Sequence, residues 1–173
     1  RIEYGDLYGA DMVLGRWLRT QPAVIQINDL LFVHGGLDPE LAVKQASLDY
    51  INTAVAASLD FSSGRLAFND EVKYLFGSFG PFWYRGYHYA MEDRYDRATI
   101  GEIDRLVDFY GVNKMVVGHT EHERIEYLYG RRVLAVDVPV EELGGFQGLL
   151  WESGALYLVQ PDGRREPLGE GDQ

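Results

Sequence analysis

Cysteine is absent from the 173 residues. Disulfides, zinc–thiolate sites and thiol nucleophiles are therefore excluded from this chain's own side chains. Basic residues are scarce, 16 against 27 acidic ones, a formal net charge of −11. Phosphate backbones want a basic face, so nucleic acid is excluded as a broad partner. No run approaches about 18 uninterrupted apolar residues, so no membrane span is predicted. No charged start followed by an apolar stretch is visible, so no signal peptide is read. The compartment stays open between cytoplasm and periplasm.

What is present argues for a folded α/β unit. At 46% hydrophobic and 13% aromatic residues there is enough apolar area for a core. The length suits one ordinary domain or a piece of a larger one. No repeat of 20–50 residues is evident.

The spacing of Val13, Leu14, Trp17 and Leu18 predicts a helix over 9–19, stopped by Pro22. Residues 24–27 and 30–33 are β-type runs around Asn28-Asp29, a hairpin signal. The second run, Leu30-Leu31-Phe32-Val33, is apolar throughout and should be buried on both faces. Asp38-Pro39 opens a predicted helix with the stripe Leu41, Leu48, Ile51, Val55 and Leu59. A polar loop over 60–70 and a short helix marked by Phe68, Val72, Leu75 and Phe76 follow. Residues 77–89 form an aromatic, glycine-bearing loop. Residues 96–110 form a helix capped by Gly111. Met115-Val116-Val117 is a short buried strand. Hairpins are expected around Gly130-Arg131 and Ser153-Gly154, with the chain after 165 as a flexible tail.

Two histidines share one local design. His34 follows Leu-Leu-Phe-Val and precedes Gly-Gly; His119 follows Met-Val-Val-Gly and precedes Thr120. Each is the first polar group past a buried strand, where an α/β sheet presents its ligands. Glycine there allows a sharp turn and close ligand approach. Imidazole is a common ligand of Zn, Fe and related ions. The alternative is that each is a hydrogen-bonded loop residue. Arg85, within Trp83-Tyr84-Arg85-Gly86-Tyr87, could bind phosphate bidentately, or pack on Trp83 or Tyr87 as a structural cation. His122 reads as a solvated loop residue and His88 as rim at best. Asp137 reads as a turn cap.

Leu31-Phe32-Val33-His34-Gly35-Gly36-Leu37-Asp38-Pro39 resembles the HGGL(S/D)P segment of the calcineurin-like metallophosphoesterases, phosphoprotein phosphatases of the Shewanella-like type. Val116-Val117-Gly118-His119-Thr120 is similar to that family's VVGHT segment, and the WYRGY stretch lies between them as it does in the bacterial group. Leu14-Gly15-Arg16-Trp17-Leu18 also fits. The resemblance implies a β-sandwich flanked by helices and two divalent ions (Mn, Fe or Zn). His34 and His119 would bind one ion, and a metal-bridging hydroxide would attack phosphorus. Arg85, aided by Tyr84 and Tyr87, would bind the phosphoester substrate, phosphoproteins included. The family's GDxHG, GDxxDRG and GNHE motifs are missing here, and the chain starts at Arg1 without an initiator Met. Together these predict the C-terminal half of a metallophosphoesterase over 1–165, whose partner is the missing N-terminal half. Alone it should bind metal weakly and turn over little. Two alternatives stand beside it. One is a non-catalytic phosphatase-like binding module. The other is a different histidine-metal enzyme using Asp6, Asp29 or Asp137.

Overall fold

The computed structural model describes residues 3–59, 70–141 and 145–168. Its frame is a five-stranded mixed sheet built from β1 (Val24–Ile27), β2 (Leu30–Val33), β3 (Lys114–Val117), β4 (Glu126–Leu128) and β5 (Val133–Ala135). The strand order is β1-β2-β3-β5-β4. The β1–β2 hairpin is antiparallel, β2, β3 and β5 run parallel, and β4 returns antiparallel to β5. A second sheet is the meander β6 (Gly148–Glu152), β7 (Ala155–Val159), β8 (Arg165–Pro167). The strand β8 occupies the start of the segment expected to be a tail; residues 169–173 lie outside the described residues, as does the predicted loop over 60–69.

Alternation along the central strands explains the layering. Leu31, Val33, Met115, Val117 and Val133 face one core cluster, which takes in Leu41, Ile51, Ile103 and Leu106 from the helices. Their neighbours Val116 and Leu134 face the opposite way, into a cluster with Phe32, Leu149, Leu156 and Leu158 of the strands. Successive side chains of a strand point to opposite faces, so a strand apolar throughout is covered on both. The helices are α1 (Val13–Arg19), α2 (Glu40–Val43), α3 (Leu48–Ser58), α4 (Asp70–Phe76) and α5 (Ile100–Tyr110).

Besides α1, which starts at Val13 instead of residue 9, two predicted helices change. The single helix expected after Pro39 is broken into α2 and α3. Gln45 takes a left-handed φ of 55° between them, and Ser47 restarts the helix by accepting from the Tyr50 N–H at 3.1 Å. The apolar stripe is compatible with both arrangements, because the break falls between Leu41 and Leu48. The second change is at α5, which starts at Ile100 instead of 96. Thr99 and Glu102 form a reciprocal capping box there, and Gly111 ends the helix at φ 65°.

The mixed α/β class holds. The structure is a mixed sheet with parallel central strands, helices on one face and a small meander on the other. The expectation of a metallophosphoesterase sandwich is not supported by this arrangement.

Candidate functional site

Parallel pairing of β2 with β3 aligns Val33 with Val117. The two strands therefore deliver their next residues side by side at the carboxyl edge of the sheet. The Gly118 N–H donates to the His34 carbonyl at 2.9 Å and ties the two turns together. The His34 and His119 rings lie 4.9 Å apart, tilted by 53°. Trp83 meets His119 edge-on at 5.1 Å. The aromatic loop reaches this position because Gly35 and Gly36 both donate to the Pro81 carbonyl, at 2.7 and 3.3 Å. A Cβ on Gly35 would lie 2.9 Å from the Phe82 carbonyl carbon, so only glycine permits this approach.

His119 is held in a left-handed conformation, φ 67°. A non-glycine residue there costs roughly 1–2 kcal/mol. Strain of this kind persists where the surroundings over-determine it, commonly at functional sites. Its Nε2 is enclosed without a hydrogen-bond partner among the described residues. Burial, then the nearby Arg85 and His34, hold its pKa below the ordinary imidazole value, against an opposing pull from Asp137. His119 is therefore neutral at pH 7.

Arg85 is half-buried, and its N–H donates to the Tyr95 hydroxyl at 3.1 Å. Its charge depresses both His119 and His88. Tyr84 and Tyr87, expected to touch substrate, are 2% and 0% exposed. They belong to the core instead, stacked edge-on at 5.4 Å. The Tyr87 hydroxyl donates to the Leu37 carbonyl at 2.7 Å and accepts from the Leu37 N–H at 3.0 Å. These rings fix the turn that carries Arg85; they offer no surface to a ligand.

Of the three carboxylates considered, only Asp137 reaches this edge. Its Oδ2 lies 3.9 Å from where a Cβ on Gly118 would sit. Asp6 caps the N-terminal 3-10 turn, and Asp29 accepts from Asn113 Nδ2 at the hairpin, the other end of β2.

The histidines read as solvated or as rim form a chain. His122 Nδ1 lies 2.7 Å from Glu126 Oε1, and His122 Nε2 lies 2.8 Å from His88 Nδ1. A carboxylate four residues after His122 was the available signal. His88, 34 residues earlier, left none.

Three solved structures align with the chain, each over 96% of its length with a TM-score of 0.82. All three are of a cold-active protein tyrosine phosphatase, in one case from the psychrophile Shewanella sp., in another a point mutant. Sequence identities are 37, 37 and 38%. The chain spans about half the length of each, 47, 48 and 49%. No family model matches the chain, and no curated protein does.

These findings correct two expectations. The neighbours are named protein tyrosine phosphatases, not calcineurin-like metallophosphoesterases, and that family expectation falls. An imidazole set past a buried strand and before glycine is a general way of presenting nitrogen at a sheet's carboxyl edge, so the motifs did not discriminate. The two divalent ions are withdrawn too. Among the described residues no group of three or more His, Asp or Glu side chains could hold an ion. Two imidazoles with no third ligand beside them among the described residues do not fill a dinuclear centre.

Proposed function

We propose that the chain hydrolyses phosphoesters, and that His34, His119, Trp83 and Arg85 receive the phosphoryl group and its aryl ester. The observation that carries this reading is the convergence of two imidazoles from adjacent parallel strands beside a half-buried guanidinium. Arg85 supplies a fixed positive charge for phosphoryl oxygens, in the planar geometry that suits a bidentate contact. Neutral His119 offers Nε2 to a phosphoryl oxygen or to the attacking water, according to its tautomer. His34, exposed at the mouth, brings a second nitrogen to the same point.

Trp83 supports an aromatic substrate. It is 49% exposed beside His119, so part of the indole is open to a phenyl ring. The names of the structural neighbours support the same choice, phosphotyrosine. With no thiol in the chain, a cysteinyl-phosphate route through its own residues is closed, and the reading takes water as the group that attacks phosphorus.

The test is release of inorganic phosphate from p-nitrophenyl phosphate, a phosphotyrosine peptide and a phosphoserine peptide. Turnover is expected, faster on the two aryl esters, and lost in His119→Ala. Tight phosphate binding with no turnover would replace the enzyme by a phosphate-binding module.

A further inference from the structure

We infer that Tyr89 determines specificity by receiving an apolar side chain that flanks the phosphotyrosine of a peptide substrate, an inference that rests on the phosphotyrosine reading of the site around Arg85.

The backbone brings this ring to the guanidinium. The His88 and Tyr89 N–H groups both donate to the Arg85 carbonyl, at 2.9 and 3.3 Å. The bond from Tyr89 closes one helical turn, so the side chains of residues 85 and 89 lie on the same side of it. The residues between them are committed elsewhere. A Cβ on Gly86 would collide with the Tyr84 ring, Tyr87 is buried, and His88 Nδ1 meets His122 Nε2 at 2.8 Å. Bonds from the following segment hold the turn still. The Arg85 N–H donates to the Tyr95 hydroxyl at 3.1 Å, and the Ala98 N–H donates to the Gly86 carbonyl at 2.8 Å. Met91 and Tyr95 exchange two backbone bonds, at 2.9 and 3.1 Å, just past Tyr89.

The ring itself is uncommitted. Tyr89 is 43% exposed, and among the described residues its ring stacks on no other and its hydroxyl bonds to none. Tyr84, Tyr87 and Tyr95, by contrast, pack ring against ring. Trp83 and Tyr89 are therefore the two open aromatic surfaces on the stretch that carries Arg85. Trp83 is assigned to the phosphorylated ring, which leaves Tyr89 for the next side chain along a peptide. A tyrosine offers that side chain apolar area at little ordering cost. Acidic flanks are repelled by a chain of net charge −11. Free phosphotyrosine has no flank to offer, so the substrate class selected is peptide-borne phosphotyrosine beside apolar residues.

Calorimetric titration of the full chain with two phosphonate peptides that cannot be hydrolysed tests the contact. The peptides differ only in carrying Leu or Ser on both sides of the phosphotyrosine analogue, and both flanks are neutral, so net charge does not enter. The Leu peptide is expected to bind about tenfold more tightly. Tyr89→Ala should erase that difference, and Tyr89→Phe should keep it, because the hydroxyl is not used. Equal affinities in the parent chain, or a Leu preference that survives Tyr89→Ala, would overturn the role of Tyr89. A parent chain that binds neither phosphonate overturns the phosphoester site and this role together. The expected Leu preference with no phosphate released from the matching phosphotyrosine peptides overturns the hydrolase reading alone.

Discussion

The four histidines form two pairs with nearly the same ring spacing, 4.9 Å for His34–His119 and 4.8 Å for His88–His122. They differ in what holds them. The first pair follows two adjacent central strands, and among the described residues no carboxylate is bonded to it and the buried Nε2 of His119 has no partner. The second comes from a turn and a loop, is joined nitrogen to nitrogen, and is anchored by Glu126. Spacing alone therefore says little about what an imidazole pair is for. A bonded carboxylate orients an imidazole and favours one tautomer, and the first pair lacks that restraint among the described residues.

The sharpest break of this comparison is to remove one member of the open pair. His119→Ala should lower kcat on p-nitrophenyl phosphate by at least about 100-fold. His34 is exposed, so His34→Ala should do the same with thermal stability nearly unchanged, read by calorimetry beside steady-state kinetics. Next is the support that both pairs share. Tyr87→Phe would strand the buried Leu37 N–H and carbonyl, and should cost about 1–3 kcal/mol in denaturant unfolding. If stability did not move, the turn bearing Arg85 and His88 would owe its position to something other than that hydroxyl. Third, Arg85→Ala should raise KM about tenfold and leave kcat nearly constant, because ground and transition states share the phosphoryl contact. An unchanged KM would remove Arg85 from the phosphate site.

The smallest effect separates the pairs by pH. His88 is held at about 4 in the folded chain, below its unfolded value. The unfolded chain then binds the extra proton between about pH 4 and the ordinary imidazole pKa of about 6.5. Stability should rise with pH across that window and be fully present above it. His88→Asn should flatten the slope in a series of melting temperatures. A slope unaltered by the substitution would mean that other groups carry it.

Much of this was legible in the residues, for physical reasons. Val24–Ile27 and Leu30–Val33 pair around Asn28, which takes φ 55° as the hairpin signal requires. The uninterrupted apolar runs of β2 and β3 announced strands buried on both faces, and their ends located His34 and His119. Arg85 was found through its glycine and its aromatic neighbours. The roles of Tyr84 and Tyr87 were not legible, since an aromatic side chain next to glycine suits a binding rim and a packed core equally. The His88–His122 contact was hidden because it joins residues 34 apart through loop geometry. Glu126, four beyond His122, belongs to β4, where its alternation gave no hint that its carboxylate turns back towards the loop.

The left-handed backbone at position 119 has a corollary for engineering. Glycine tolerates φ 67° without the steric penalty that histidine carries. His119→Gly should therefore melt no lower than the parent, and higher if the ring's packing on Trp83 contributes little, while losing its catalysis. A screen for heat resistance alone would select such inactivated chains, so durability and usefulness are opposed at this single residue.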